Sequence, residues 1–323
     1  MTYLRHFAFL ALAFLALAPL APATAAAEPL ACFAPADLAA RPQEKAPVHG
    51  APGSKAAMPA AAQLRPPATP LTGSIRRVDL PPGEKFIALT FDLCEAGGEV
   101  AGYDGVLVDT LRANAVRATF FAGGKWLVTH GPRAQQLLAD PLFETGNHTW
   151  THWNLGVASG PGMQAQVNAV DAAYAATRAA LAKTCSAASP PAQMGLFRFP
   201  YGSCSRESLD YVNQRGYRAI QWDVDSGDPW LPMSGARMAK SVLDRVKPGS
   251  IVLMHANGRG FHTAEALSLI IPALRARGFG FLTVSELLAR GKPVVAATCY
   301  GERPGDTAIY DKHWRALTGK PEP

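Results

Sequence analysis

The stretch 86–98, FIALTFDLCEAGG, joins an apolar run to a carboxylate and then to small residues. The run 86–91 is followed at once by Asp92, after which the chain turns. Short continuous apolar runs that end in turn residues are typical of strands buried in a parallel sheet. The stretch therefore predicts a buried strand with a candidate catalytic group at its carboxyl end.

Further apolar runs alternate with helical stretches along the chain. The predicted strands are 86–91, 118–121, 143–146, 195–199, 219–222, 250–254 and 279–282. The predicted helices are 104–113, 133–139, 163–183, 206–214, 235–246, 263–277 and 284–289. This alternation predicts an α/β fold of parallel strands covered by helices, either as an open doubly wound sheet or as a barrel. No glycine-rich phosphate loop follows any strand, so nucleotide binding has no support.

The amino-terminal residues predict export. Arg5 precedes the apolar run 7–20, and the alanines at 25–27 form a small-residue cleavage site, which together are typical of a signal peptide spanning 1–27. The alternative is a membrane anchor, but the apolar run is short for one, so no stable membrane span is expected after cleavage. We expect a periplasmic or secreted protein.

Composition divides the remainder of the chain. The Ala/Pro-rich segment 28–80 lacks apolar periodicity and predicts a flexible lead-in, 81–295 holds the alternating elements, and 296–323 reads as an irregular carboxyl-terminal tail. Lys and Arg total 31 against 25 Asp and Glu, a net charge of +6 without basic runs. This charge suits an anionic envelope polymer and gives no support to nucleic acid as a partner.

Five cysteines are present, so at least one is unpaired within the chain. Sequence alone leaves their connectivity open. The pairing that we favour joins Cys185 to Cys204 across an irregular segment. No C-x-x-C pair or local Cys/His cluster indicates a zinc site.

Polar residues follow five of the predicted strands at their carboxyl ends. They are Asp92, His148 and His152, Arg198 and Tyr201, the group Asp223, Asp225 and Asp228, and His255. In parallel α/β folds these strand ends share one face, so the side chains can converge there. Individually each has a structural alternative, such as a surface loop histidine or a buried core histidine.

The residue types in this set fit metal-assisted hydrolysis of an amide or ester. A histidine pair can hold a divalent metal that polarises a carbonyl or activates water. A carboxylate can act as general base, and a separate histidine can protonate the leaving group. An aspartate beside that histidine favours its protonated form, and an arginine orients the base.

The same residues resemble the motifs of the polysaccharide deacetylase family, the carbohydrate esterases of family four. "TFDLCE" resembles T-F-D-D, "HTWTH" resembles H-[ST]-x-x-H, "RFPYG" resembles R-x-P-Y, "DSGDPW" resembles D-S-x-D-W, and "LMH" resembles L-x-H. The motifs occur in the family's order between about 85 and 290. The resemblance implies a distorted (β/α)7 barrel.

The resemblance also implies a role for each residue. Asp92 falls on the catalytic base, Arg198 on the residue that orients it, and His148 and His152 on metal ligands. Tyr201 falls on a residue whose backbone N–H stabilises the oxyanion, Asp228 on the residue that tunes the general acid, and His255 on that acid. The implied cofactor is a divalent metal, with Zn²⁺ expected. The implied reaction removes N- or O-acetyl groups from peptidoglycan, a chitin-like oligomer or another envelope polymer.

Leu93 departs from the family pattern, since it stands where the family has its carboxylate metal ligand. Three outcomes stay open. In the first, Asp92 itself supplies the third ligand, and water or another carboxylate acts as the base. In the second, Glu95 reaches into the site. In the third, metal binding is weak and the domain only binds carbohydrate. The functional alternatives are therefore another C–N amide hydrolase on this fold and a non-catalytic glycan-binding module.

Overall fold

The computed structural model describes residues 30–60 and 72–319. The predicted signal peptide lies outside these residues. The strands are β1 (Val48–His49), β2 (Ser74–Asp79), β3 (Phe86–Leu93), β4 (Glu99–Val100), β5 (Ala118–Ala122), β6 (Phe143–Asn147), β7 (Leu196–Phe197), β8 (Arg218–Ile220), β9 (Val224–Asp225), β10 (Ile251–His255), β11 (Gly280–Phe281) and β12 (Lys292–Ala296).

Helices connect most of these strands. They are α1 (Pro35–Leu38), α2 (Gly105–Ala113), α3 (Gly124–Thr129), α4 (Gly131–Ala139), α5 (Gly160–Thr184), α6 (Arg206–Gln214), α7 (Gly235–Arg245), α8 (Thr263–Ala276), α9 (Val284–Leu288) and α10 (Ala308–Thr318), with short 3₁₀ helices at Pro42–Glu44 and Pro200–Gly202. Among the described residues, no helix is both long enough and apolar enough to cross a membrane.

One curled sheet organises the described part of the chain. Its strand order is β12-β2-β8-β7-β6-β5-β3-β10-β9, and β11 pairs with β3. The pairings are parallel except for β12 with β2, which is antiparallel. A bridge between Arg77 and Ser250 brings the two ends of the sheet together. The predicted α/β barrel is confirmed, and all seven predicted strands and seven predicted helices are present within a few residues.

Strand β3 shows how the sheet separates two apolar layers. Successive side chains of a strand point to opposite faces. Its odd-numbered residues, Ile87, Leu89, Phe91 and Leu93, are fully buried in the core cluster formed with the helices. Ala88 belongs instead to the cluster that fills the barrel interior. Asp92 is on the same face as Ala88, so the pleat directs its carboxylate to the inside of the barrel.

Parts of the expected flexible lead-in are ordered against the barrel. Strand β2 lies inside the sheet, paired with β8 and β12. The guanidinium of Arg133 donates to the carbonyls of Asp37 and Ala39 at 2.6 and 2.9 Å and to Glu44 at 2.6 Å. For these residues the expectation of flexibility is wrong. The buried Arg133 binds their backbone carbonyls, and composition alone does not reveal such contacts. The domain boundaries themselves stay a prediction.

The expected irregular tail also carries regular structure. Residues 297–319, here called the C-terminal segment, include helix α10. Arg76 donates two hydrogen bonds to the carbonyls of Tyr300 and Gly301 and lies 3.8 Å over the Tyr300 ring. Asp311 accepts from Asn154 at 2.8 Å. The sequence did not predict this segment, since its anchors are polar contacts to distant loops.

Two disulfides tie both ends of the described chain to the barrel. Cys32 pairs with Cys185, and Cys204 pairs with Cys299, which leaves Cys94 free and buried. The predicted pairing of Cys185 with Cys204 is wrong. Cys185 ends α5 and lies at the amino-terminal end of the barrel strands, whereas Cys204 follows β7 at their carboxyl end.

We predict that non-reducing peptide mapping recovers the 32–185 and 204–299 peptides, with Cys94 alkylated only after unfolding. The double variant Cys204→Ser/Cys299→Ser should lose about 2–5 kcal/mol of unfolding free energy, measured in urea, because the unfolded chain is no longer constrained. The matched control, Cys32→Ser/Cys185→Ser, should be destabilised without a change in the residues around the barrel mouth. A peptide joining Cys185 to Cys204 would contradict the structure.

Candidate active site

The predicted site residues converge at the carboxyl ends of the strands. A cavity of about 470 Å³ opens there, and Asp92, His152, Tyr201 and His255 line it. His255 and Asp92 are direct neighbours in the register of β10 and β3. Strand ends far apart in the chain therefore place a carboxylate and an imidazole side by side, as parallel topology requires.

Asp92 forms a buried ion pair with Arg198. Arg198 is fully buried and its Nη1 donates to Asp92 Oδ1 at 2.9 Å. Its Nε and Nη2 donate to the carbonyls of Ile220 and Gln221, each at 3.3 Å, and the guanidinium lies 4.1 Å over the Phe121 ring. These backbone carbonyls fix the orientation of the guanidinium, and the guanidinium in turn holds the Asp92 carboxylate in one orientation.

His148 and His152 lie next to each other, with ring centroids 4.9 Å apart. His148 Nδ1 is 2.9 Å from the carbonyl of Arg198. A carbonyl can only accept, so Nδ1 carries the proton and Nε2 presents its lone pair to the site. Burial lowers the pKa of both histidines, so both favour the neutral form that binds metals.

The Nε2 atom of His148 is an unsatisfied buried group. It has no hydrogen-bond partner among the described residues, and it lies 3.5 Å from Asp92 Oδ2. A buried lone pair that faces a carboxylate oxygen is unfavourable unless a cation is present between or beside them. The residues present therefore fit a divalent metal.

His255 is held by Asp228. Its Nδ1 is 2.8 Å from Asp228 Oδ1, and the other carboxylate oxygen accepts from the His255 backbone N–H at 2.6 Å and from Thr263 Oγ1 at 2.7 Å. Burial lowers the pKa of His255, but the charge of Asp228 and this hydrogen bond outweigh it and raise the pKa to about 9. The imidazole is therefore protonated at neutral pH, with Nε2–H free to face the cavity.

Tyr201 lies in the 3₁₀ turn after β7 with a left-handed backbone, φ 61°. Non-glycine residues in this region cost energy and cluster at functional sites. Its ring is 4.6 Å from the His152 ring and 5.7 Å from the Tyr310 ring. The turn thus places both the backbone and the side chain of Tyr201 at the barrel mouth.

Glu95 does not lie in the site, so the alternative in which it supplies the third metal ligand is wrong. Its carboxylate accepts from the Ala101 backbone N–H at 2.9 Å and from Thr129 Oγ1 at 2.8 Å, and it lies 3.3 Å from Lys125 Nζ. These partners are on the far side of the loop after β3. Local spacing from Asp92 could not reveal this turn of the chain.

Two features of the site were missed from the sequence. Cys94 lines the cavity, with its Sγ and the ligand nitrogens of His148 and His152 all within 4.8 Å of one another. Strand alternation was the available signal, because Cys94 is two residues after Asp92. The C-terminal segment forms another wall, through Gly301, Glu302, Asp306, Thr307 and Tyr310. No local signal could have found this wall.

Comparisons with known proteins match this architecture. The family model for polysaccharide deacetylases matches residues 79–220. A chitooligosaccharide deacetylase from Bradyrhizobium sp. (strain ANU 289) is 31% identical over 218 residues, which cover 64% of this chain and 91% of that protein. A peptidoglycan-N-acetylglucosamine deacetylase from Bacillus cereus is 27% identical over 208 residues, which cover 64% of this chain and 69% of that protein.

A solved structure shows the same fold. A CE4 family pseudoenzyme from Bacillus anthracis superposes with a TM-score of 0.55 at 25% identity, over 69% of this chain and 71% of that one. The distorted barrel that the motifs imply is thereby confirmed.

We predict that Arg198→Met destabilises the protein by about 3–5 kcal/mol, because it leaves Asp92 buried without its countercharge. The double variant Arg198→Met/Asp92→Asn should recover part of this loss. The control is Arg206→Met, which removes an exposed ion pair with Asp210 at 3.6 Å and should cost less than about 1 kcal/mol. Urea unfolding followed by circular dichroism measures all three, and equal losses for the two single variants would contradict the ion-pair assignment.

Proposed function

The chain belongs to the polysaccharide deacetylase family, and we propose that it hydrolyses N- or O-acetyl groups on an envelope polysaccharide with the help of a divalent metal. The observation that carries this proposal is the placement of two differently held groups at one cavity. Asp92 is ion-paired to Arg198, while His255 is held by Asp228. The Asp92 carboxylate can accept a proton, and the His255 imidazole can donate one.

Asp92 is the proposed general base. Its carboxylate lies at the cavity wall, and Arg198 fixes its orientation without occupying both oxygens, since Oδ1 accepts from Nη1. A base that is oriented in advance can take a proton from the attacking water without further reorganisation. In this proposal Arg198 is a positioning residue and does not itself touch the substrate.

His255 is the proposed general acid. Because its pKa is raised to about 9, the imidazole is protonated at neutral pH and can donate its Nε2 proton to the leaving nitrogen or oxygen. Asp228 holds Nδ1 and thereby leaves Nε2 to the substrate. The opposite charges of the Asp92 and His255 side chains divide the acid and base roles between them.

Tyr201 is proposed to contribute its backbone N–H to the developing oxyanion. The left-handed turn at φ 61° sets the direction of this peptide, and the side-chain ring contacts His152. A donor fixed by backbone geometry stabilises a transition-state charge at little reorganisation cost.

His148 and His152 are the proposed metal ligands, with Zn²⁺ as the expected ion. The unsatisfied lone pair of His148 Nε2 and the neighbouring imidazole of His152 support this assignment. When bound, a divalent metal would polarise the acetyl carbonyl as a Lewis acid. Of the two carboxylates considered as a third ligand, Asp92 Oδ2 lies 3.5 Å from His148 Nε2 but belongs to the residue that is paired with Arg198 and proposed as the base, and Glu95 does not lie in the site.

The proposed substrate is an acetylated glycan such as peptidoglycan or a chitin-like oligomer. The names of the Bradyrhizobium and Bacillus cereus relatives support both classes. Two disulfides support an oxidising compartment outside the cytoplasm, in agreement with the signal peptide predicted at 1–27. Sequencing the amino terminus of the exported protein tests this, with Glu28 as the expected first residue.

We predict acetate release from acetylated chitooligosaccharides or peptidoglycan. Asp92→Asn and His255→Ala should each reduce kcat by roughly 10²–10⁴-fold while the fold, measured by circular dichroism, is retained. A surface variant, Asp244→Asn, is the matched control and should be unaffected.

Other outcomes of the same assay identify the alternatives. Turnover of small amides without acetate release from any glycan would identify another C–N hydrolase. Glycan binding without turnover would identify a binding module, an outcome made relevant by the similarity to a CE4 family pseudoenzyme.

We predict that Asp228→Asn moves the alkaline limb of the kcat–pH profile to lower pH. Asp228 stabilises the charged imidazole, and its removal should lower the pKa of His255 from about 9 toward the ordinary value. Asparagine can still accept from Nδ1, so the variant removes mainly the charge. Asp244→Asn again serves as control, and an unshifted alkaline limb in Asp228→Asn would argue against His255 as the acid.

A further inference from the structure

We propose that Cys94 is the third protein ligand of the metal, beside His148 and His152. This inference rests on the metal-dependent function proposed above. Leu93 cannot coordinate a cation, and the inference assigns the ligand role to the next residue, Cys94.

The pleat of β3 explains why the role moves by one residue. Leu93 is the last residue of the strand and is fully buried in the layer between sheet and helices. Asp92 and Cys94, on either side of it, both line the cavity. Side chains two residues apart share a strand face, so beyond Asp92 the next residue that can face the cavity is at position 94, not 93.

The donor atoms form a compact set. Cys94 Sγ and the ligand nitrogens of His148 and His152 lie within 4.8 Å of one another, and Cys94 is only 5% exposed. The lone pair of His148 Nε2 points into this set and has no hydrogen-bond partner in the described part of the chain. Thiolate and imidazole are the donors that Zn²⁺ prefers.

Hydrogen bonds from two neighbouring loops, those after β10 and β5, hold the backbone of residues 92–94 and so place Cys94 at the cavity. The Asp92 carbonyl accepts from the Ala256 N–H at 3.0 Å, and the Leu93 carbonyl accepts from the Gly123 N–H at 3.1 Å. The Cys94 carbonyl accepts from Asn257 Nδ2 at 2.9 Å. A ligand held by such secondary contacts is oriented before the metal binds.

The competing donor sets are weaker. The described residues also bring Cys94 together with Asp92 and His255. In that set Asp92 is already paired with the Arg198 cation and His255 with Asp228, so a metal would compete with existing charge pairs. The other four cysteines are in disulfides. Cys94 is common to both sets, which makes it the decisive ligand.

Metal binding at this site replaces the thiol proton, which is released to solvent. The bond formed is sulfur to metal, and no oxidation occurs. A site of one thiolate and two imidazoles favours Zn²⁺ and Co²⁺ over the oxygen-preferring Mg²⁺ and Ca²⁺.

The test uses the exported chain stripped with a chelator and titrated with Co²⁺ and with Zn²⁺. The wild type should bind one equivalent of Co²⁺ and develop a thiolate-to-cobalt charge-transfer band in the near ultraviolet. Cys94→Ser, which is nearly isosteric, should lose this band and bind Zn²⁺ about 100-fold or more weakly. Cys94→Asp should recover part of the Zn²⁺ affinity without the band.

Controls separate this inference from the proposed reaction. Asp92→Asn should keep the charge-transfer band while losing acetate release, and His148→Ala should lose the metal altogether. A band in a wild type that releases no acetate supports Cys94 and contradicts the proposed function. Equal Zn²⁺ affinity in wild type and Cys94→Ser, or Co²⁺ bound without the band, would overturn the ligand assignment whatever the activity.

Discussion

The buried ion pair between Asp92 and Arg198 is the interaction on which the site depends. The arginine is fully buried, and its Nε and Nη2 donate hydrogen bonds to the backbone carbonyls of residues 220 and 221. Desolvating two charges is costly, and the cost is offset only when geometry and countercharge are both correct. The carboxylate is therefore fixed, and His148 and His255 take their positions relative to it.

The pleat of β3 is a second constraint, and it changes the meaning of Leu93. In the sequence, the leucine beside Asp92 stands where the family motif has a carboxylate metal ligand. In the barrel that position faces the helices, where an apolar side chain contributes roughly 1.5–3 kcal/mol by burial. The inner face at the strand end belongs to Asp92 and Cys94. Under the ligand assignment proposed above, the departure from the motif moves the metal-ligand position from residue 93 to residue 94.

The C-terminal segment gives the barrel mouth a wall that the barrel itself does not supply. The disulfide between Cys204 and Cys299 fixes its start, and Asp311 accepts from Ser203 at 2.6 Å on the same loop. Tyr310 contacts the ring of Tyr201 within the cavity lining. Access to the cavity therefore depends on residues outside the strand–helix alternation.

The sequence by itself determined the alternation of strands and helices and the convergence of polar groups at one end of the barrel. Both follow from local patterns, since apolar runs set the strands and parallel topology gathers their carboxyl ends. The tertiary structure decided the cysteine pairing, the turn that directs Glu95 away from the site, and the position of Cys94 in the cavity wall. These depend on which distant groups of the chain meet. Cys185 and Cys204 lie at opposite ends of the barrel, and the Glu95 carboxylate is bound by Ala101, Thr129 and Lys125. Local spacing carries no information about such contacts, because their partners are set by the closure of the whole sheet.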